Sequence, residues 1–298
     1  MTVAVKVPEI AETDIGTASP GGGLRRWIPL LALGAGALVL YAPLVPGLAH
    51  EWVEFPNLSH GFAIPFIAAY LVWSRRDRLR EARIEPSAWG LAALVPGLAA
   101  LVVGVLGDES FLARIALPII LLGLTLFLAG WRVLAQVWVA IAYLALMVPL
   151  PWGTLKQITY RSRLLDAEVS AWVLGLLGVP VYRDGVMLHL PNITLEVADA
   201  CSSIPAIAAL LSLGVAYAFV TRRPRLVQIG LITATLPLAI LANIIRITSV
   251  SWLAYEVGPW TLQTTYHMFN GTVNFIFTFL LLLGLDALLG RVAAWWRS

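Results

Sequence analysis

Residues 195–220, LEVADACSSIPAIAALLSLGVAYAFV, contain the single cysteine of the chain, Cys201. A short polar approach ends at this cysteine, and an apolar run long enough for a helix follows it. Proline lacks a backbone N–H and is best tolerated in the first turn of a helix, so Pro205 predicts a helix start near Ser202 or Ser203. Either serine could cap that helix. The stretch therefore predicts that Cys201 lies at the junction of a loop and a membrane-spanning helix.

The composition of the whole chain places that helix in a membrane. Of 298 residues, 59% are hydrophobic and only 12% are charged, which excludes a soluble globular protein and predicts a polytopic membrane protein in contact with the lipid bilayer. The net charge is +3, and the basic residues lie in short clusters between apolar runs, so no nucleic-acid partner is expected. One cysteine excludes an internal disulfide and a multi-cysteine metal site.

The apolar runs predict an all-α fold with about eight transmembrane helices in one transmembrane domain, residues 25–298. The predicted spans are residues 27–48, 61–73, 89–106, 111–129, 133–150, 204–220, 226–255 and 267–289. Basic clusters at residues 74–83 and 221–225 predict cytoplasmic loops, and with them two cytoplasmic termini. The polar, glycine-containing residues 1–24 are typical of a disordered cytoplasmic tail. The sequence gives no sign of an internal repeat or of a broken helix.

Residues 152–200 are then expected to form a cap on the outer face. Residues 161–178 begin charged and end apolar, which predicts an interfacial or partly inserted helix; if this helix spanned the membrane, the topology after it would invert. Two short β-like runs, residues 186–190 and 193–197, follow a turn signal at Asp184-Gly185 and flank Pro191-Asn192. These runs predict a small β-hairpin that leads into Cys201.

The predicted topology brings three chemically distinctive residues to one depth. Cys201 begins the sixth span at its outer end, and His267 begins the eighth. Arg246 lies 20 residues after Leu226 (246 − 226 = 20). At about 1.5 Å per helical residue, this distance carries it roughly 30 Å, to the outer boundary.

The chemistry of these residues fits a nucleophilic site. Cysteine reacts as a thiolate, and unpaired backbone N–H groups at a helix start would favour both a thiolate and a developing oxyanion. Asp199 works against this because its charge would raise the pKa of the thiol, and Arg246 would offset that effect and could bind a substrate carbonyl or carboxylate. His267 would carry the proton.

Each residue also has a structural interpretation. A lone cysteine among apolar spans is commonly an inert small hydrophobe, and a histidine at a membrane interface commonly has no role beyond that interface. Placing an arginine inside a long apolar run costs free energy, and such an arginine is by default functional or paired. Asn243, one turn before Arg246, could orient its guanidinium or satisfy a neighbouring helix.

The remaining histidines, His50, His60 and His189, are also predicted to lie outside. They could be metal ligands or alternative bases, but they lack a ligand spacing such as H-x-x-x-H. We therefore expect neither a metal site nor a cofactor.

Four segments together resemble the exosortase/archaeosortase family of multi-spanning cysteine transpeptidases. They are EVADACSS (196–203), LANIIRI (241–247), YHMFNG (266–271) and SHGFAIPFIAAYLVWSRR (59–76). The family pattern is a cysteine in a CSG-like motif, then N-x-x-R, then H-x-x-x-G. This chain matches it in order with Cys201, with Asn243 and Arg246, and with His267 and Gly271, while the last segment matches the early Ser-His-Gly span through His60. Ser203 stands where the family usually has glycine, and Pro205 stands where a basic or polar residue is common.

The resemblance implies a reaction and a partner. The substrates would be exported proteins with a C-terminal signal made of a short, PEP-like motif, one transmembrane helix and a basic tail. Cys201 would attack the scissile bond at the outer face of the plasma (inner) membrane and form a thioester, Arg246 would steady the oxyanion or the substrate, and His267 would protonate the leaving amine.

Two other function classes stay open at this point. One is a membrane acyltransferase or hydrolase that uses Ser202, Ser203 or His60. The other is a non-enzymatic transporter component or scaffold in which Arg246 is a buried structural charge. A transporter would be expected to show repeats or broken helices.

Overall fold

The computed structural model describes the backbone of residues 34–36, 39–198, 202–221, 224–258 and 264–295. Its α-helices are α1 (Val45–Glu54), α2 (Ala63–Trp73), α3 (Arg76–Glu81), α4 (Leu91–Leu106), α5 (Ser110–Ala129), α6 (Trp131–Tyr143), α7 (Trp152–Leu176), α8 (Ser203–Val220), α9 (Arg225–Glu256) and α10 (Thr264–Trp295). Short 3-10 helices lie at Ala42–Leu44, Pro56–Phe62, Ala88–Gly90 and Leu144–Met147. The chain is mostly helical, as predicted. The predicted tail (residues 1–24) and residues 27–33 and 37–38 of the first predicted span lie outside the described residues.

Three of the described helices are long and apolar enough to cross a membrane: Ala88–Leu106, Ser110–Ala129 and Arg225–Glu256. They coincide with the predicted third, fourth and seventh spans. Two shorter apolar helices, Leu58–Trp73 and Ala206–Val220, lie where the second and sixth spans are predicted. The count of eight is therefore not reached by the helices of the described ranges, and it stays a prediction.

Helices α4 and α5 form a close hairpin because small residues line their contact. A Cβ at Gly104 would lie 2.4 Å from the backbone nitrogen of Ala113, and one at Gly123 would lie 2.5 Å from that of Leu94. Glycine at such positions lets two helix backbones approach each other. A short turn joins the helices, and the Glu109 carboxylate caps α5 by accepting the N–H of Leu112 at 2.8 Å.

A sharp break follows α6. The helical segments Trp131–Met147 and Trp152–Leu176 meet at 84°, with Pro149 and Pro151 between them. Proline lacks the N–H that continues a helix, and it disfavours helical geometry in the preceding residue. This break corrects the expectation that the chain has no broken helix. It also means that the helix predicted over residues 161–178 begins earlier, at Trp152.

The predicted hairpin is present and has a third strand. Strands β1 (Tyr182–Asp184), β2 (Met187–His189) and β3 (Thr194–Glu196) form an antiparallel sheet in the order β1-β2-β3. The β1–β2 turn is the expected Asp184-Gly185, where Gly185 has φ +58°. One face of the sheet packs on two helices, since Leu188 and Val197 share a buried cluster with Leu174 of α7 and Ile247 of α9.

The last three helices pack together. Leu210 of α8, Leu231 of α9 and Leu282 of α10 are fully buried in one cluster. Helix α8 begins at Ser203, which confirms the start predicted from Pro205. The strand β3 and the helix α8 thus lie on either side of Cys201 in the chain.

Candidate functional site

The structure describes the surroundings of some predicted site residues and not of others. Cys201 and Asp199 lie outside the described residues, and for His267 and Gly271 only the path of α10 is described. The convergence of Cys201, Arg246 and His267 therefore stays a prediction. The side chains of His60, Ser202, Ser203, Asn243 and Arg246 are described, and they lead to a residue that the sequence analysis did not single out.

That residue is Asp166 on α7, whose side chain is completely buried. Its Oδ2 accepts the backbone N–H of Ser203 at 3.0 Å, and its Oδ1 accepts the Ser203 hydroxyl at 2.6 Å. The first N–H groups of a helix have no partner within the helix, and a negative charge is favourable at that end. Asp166 therefore caps the helix that follows Cys201.

This contact corrects two expectations about the start of α8. Ser202 occupies the capping position but makes no side-chain capping bond, and its buried hydroxyl has no partner among the described residues. The cap comes from another helix, because a carboxylate with two oxygens can accept both the N–H and the hydroxyl of Ser203. The N–H of Ser203 is consequently occupied and is not one of the open donors expected beside the thiol.

Asn243 on α9 binds the same carboxylate. Its Nδ2 donates to Oδ2 of Asp166 at 3.0 Å, and its side chain is 1% exposed. Of the two roles expected for Asn243, satisfaction of a neighbouring helix is the one observed in this contact. Arg246 follows three residues later, about 4.5 Å further along the axis of α9, and its side chain is half-buried. Asp166 thus joins the start of α8 to the part of α9 that carries Arg246.

A second buried side chain of α7 holds the sheet. Arg163, one turn before Asp166, donates its Nε to the backbone carbonyl of Val197, and its Nη2 donates to Oε1 of Glu196 at 2.8 Å. Glu196 ends β3, and Val197 follows it. Helix α7 therefore binds the chain shortly before and shortly after residues 198–202, the segment that contains Cys201.

The two contacts come from one face of α7. Thr159, Arg163, Asp166 and Ser170 are spaced by four, three and four residues, and all four are buried. The sequence contains this signal as four polar residues at helical spacing. The prediction for this segment used only its charged beginning and apolar end, so it did not include a buried polar face. Buried polar groups need hydrogen-bond partners, and the local sequence does not indicate them.

A cavity of about 400 Å³ adjoins the first turns of α8. Most of its lining is apolar and includes Leu58, Met147, Leu155, Ile204 and Ala208. Polar groups of His60, Lys156 and Thr159 also face it. Ile204 and Ala208 lie on one face of α8, so the cavity begins within one helical turn of the cysteine in sequence.

The other candidate groups have ordinary surroundings. His50 lies 3.2 Å from the Glu54 carboxylate, and His189 hydrogen-bonds to the Thr194 hydroxyl at 3.0 Å. In the described part of the chain, no three potential metal ligands lie close enough together to hold an ion. Ser202 and Ser203 are each 1% exposed, and this burial disfavours either serine as a nucleophile that meets a substrate.

Comparison with known proteins gives a match to a family model. The family model described as transmembrane exosortase matches residues 52–284. No curated protein and no solved structure matches the chain significantly. The matched range contains Arg163 and Asp166 of α7 and all of the motif residues from Cys201 to Gly271.

Proposed function

The chain belongs to the transmembrane exosortase family, and we propose that it is a cysteine-dependent membrane peptidase or transpeptidase that cleaves a C-terminal sorting signal from exported proteins. The observation that carries the proposal is the junction at Asp166, which binds both the helix that follows Cys201 and the helix that carries Arg246. A nucleophile and a cation on separate helices can act together only if those helices are held in a defined relation.

We assign the reaction to three side chains. The Cys201 thiol gives its proton to His267, and the thiolate attacks the carbonyl carbon of the scissile peptide bond, forming a C–S bond and an oxyanion that Arg246 stabilises. The C–N bond then breaks, and His267 returns the proton to the departing amine. The resulting thioester is attacked by an acceptor amine or by water, which gives a proton to His267, and the thiolate leaves with its electron pair.

The proposed substrate is an exported protein with a short, PEP-like motif, one transmembrane helix and a basic tail at its C-terminus. The cavity next to α8 supports binding of the motif, because it offers apolar walls with a few polar groups at the start of the cysteine helix. By the positive-inside rule we place the site on the outer face of the plasma (inner) membrane, with both termini in the cytoplasm. The basic tail would then hold the scissile bond at the level of Cys201.

The experiment is to express this chain together with a tagged candidate precursor that carries such a tail, and to follow the size of the precursor on a gel. Wild type should cut the precursor, while Cys201→Ala and Arg246→Ala should leave it uncut. His267→Ala should also leave it uncut. His50→Ala is the control for that variant, because the described contact of His50 is with an exposed carboxylate. Normal processing by Cys201→Ala would overturn the proposal.

A second readout separates the mechanism from its rivals. Hydroxylamine added during the reaction should divert the thioester to a hydroxamate of the cleaved protein. Activity that survives Cys201→Ser but is lost when a serine is replaced would favour the hydrolase alternative. A transporter or scaffold would form no covalent intermediate under any of these conditions.

A further inference from the structure

We propose that Arg163 and Asp166 of α7 are positioning residues for the nucleophile, acting on the two elements that flank it. The inference rests on the proposed function only in taking Cys201 as the nucleophile. Neither residue belongs to the motifs by which the sequence resembles its family. Their assignment comes from the contacts that α7 makes with β3, α8 and α9.

The first step of the argument is that both ends of a short segment are bound to one rigid helix. Arg163 holds residues 196 and 197, and Asp166 holds residue 203. The two anchors are three residues apart on α7, about 4.5 Å along its axis. A chain of five residues with both ends fixed to one helix has far fewer conformations than one fixed at a single end.

The second step is that the same carboxylate sets the position of α9. Oδ2 of Asp166 accepts from Ser203 and from Asn243 at 3.0 Å each. The start of α8 and the turn of α9 before Arg246 are therefore held by one oxygen atom. A shift of α7 would move both, so the relation between the proposed nucleophile and the proposed cation depends on this residue.

The third step concerns why a carboxylate occupies the position. Negative charge near a thiol disfavours its thiolate, so Asp166 would not be placed there to activate Cys201. Burying a carboxylate is also costly unless its oxygens are hydrogen-bonded. What the carboxylate provides is acceptor capacity for several donors from different helices, which is a geometric function.

The experiment uses the single native thiol of the full-length protein. A nitroxide attached to Cys201 in detergent reports the rotational mobility of the segment by electron paramagnetic resonance. We expect an immobilised label in wild type and a mobile one in Asp166→Ala and in Arg163→Met, which keeps the aliphatic stem. Ser170→Ala is the matched control, because Ser170 lies on the same buried face and its hydroxyl has no partner among the described residues.

Two milder variants keep the test decisive if Asp166→Ala does not fold. Asp166→Asn keeps the shape and an acceptor for the Ser203 N–H, so the label should stay close to its wild-type mobility. Ser203→Ala removes the hydroxyl contact and leaves the N–H contact, so mobility should be intermediate. A label that is equally immobile in wild type, Asp166→Ala and Arg163→Met, or already mobile in wild type, would overturn the proposal.

Processing kinetics distinguish positioning from a general loss of stability. In Asp166→Ala we expect kcat for precursor cleavage to fall about 10- to 100-fold with little change in KM, as when a reacting group is displaced by about an ångström. Asp166→Asn should restore most of kcat. If Cys201→Ala still cut the precursor, the proposed function would fail, while the mobility measurement would still decide whether α7 positions the cysteine.

Discussion

Two buried charges in this molecule are satisfied in different ways. Arg114 of α5 donates to the Glu51 carboxylate of α1 at 2.7 Å, so a cation meets an anion and two helices are joined. Among the contacts of the described residues, Asp166 is bound instead by neutral donors: Ser203, Asn243 and more distantly, at 3.4 Å, Ser162. The first contact lies among the early helices, and the second lies at the start of α8, two residues after Cys201 in the chain.

The difference indicates what each contact does. A buried ion pair offsets the cost of taking two charges out of water, but it specifies only one helix-to-helix contact. Hydrogen bonds from three elements to one carboxylate are directional and fix the relative position of all three. We therefore interpret the Arg114–Glu51 pair as a contribution to stability. We interpret the Asp166 junction as a contribution to the geometry of the site.

The largest expected effect on stability is at the ion pair. Glu51→Ala leaves a buried guanidinium without its carboxylate and should lower the free energy of unfolding by about 3 kcal/mol. Because the pair joins α1 to α5 and shares no described hydrogen bond with Asp166, kcat per folded molecule should stay within about twofold of wild type. Denaturation in mixed detergent micelles and precursor cleavage measure the two quantities.

Glu54→Ala on the same helix is the control, since Glu54 is exposed and pairs with an exposed histidine. Its loss should change stability by no more than about 0.5 kcal/mol. A tenfold fall in kcat for Glu51→Ala would end the distinction between the two regions, because the ion pair would then also serve the reaction.

Arg246 provides the next prediction. If its charge favours the thiolate, the pKa of the Cys201 thiol lies below the ordinary value of about 8.5, and Arg246→Ala should raise it by about one unit. Iodoacetamide alkylation at pH 7 should then be about tenfold slower in the variant, because only the thiolate reacts. Arg114→Met, which removes a buried cation elsewhere, should leave the alkylation profile unchanged. Identical profiles in all three proteins would show that Arg246 does not act on the thiol.

The sequence predicted the elements whose signals are local. The helices at residues 89–106, 111–129 and 226–255, the Asp184-Gly185 turn and the start of α8 follow from apolar length, glycine and proline. Each of these signals operates within a few residues, through backbone conformation or the length needed to cross a bilayer. The resemblance to the exosortase family was also recognised from the sequence motifs and is confirmed by the match to the family model.

The contacts of Asp166 could not be predicted from the sequence in the same way. They join residues separated by 37 and 77 positions, and nothing in the chain around Asp166 indicates its partners. From the sequence, Ser203 could cap its own helix. In the structure the cap is Asp166, which reaches the start of α8 because α7 packs against α8. The break before α7 was missed for a related reason, because Pro149 and Pro151 predict an end to a helix but not the angle at which the next one leaves.

The cavity gives a prediction of intermediate size. Ala208→Trp would fill the space beside α8, so KM for the precursor should rise about fivefold if the motif binds there, the loss expected when part of an apolar contact is removed. Val220→Trp places the same side chain at an exposed position in the last turn of α8 and should have no effect. The rate of Cys201 alkylation should be unchanged in both variants. An unchanged KM in Ala208→Trp would exclude this cavity as the binding site for the motif.

The smallest expected effect compares the two anchors of the sheet. Asn192, in the turn between β2 and β3, donates its Nδ2 to the backbone carbonyls of Ala254 at 3.2 Å and Tyr255 at 3.1 Å, near the end of α9. Asn192→Ala should cost about 1 kcal/mol, the net value of such hydrogen bonds, and should change kcat by less than about twofold. Arg163 holds the opposite end of the same strand, next to the cysteine segment, and its loss should affect kcat far more than stability. If the two substitutions lowered kcat equally, the sheet as a whole, and not its end beside Cys201, would be what the reaction requires.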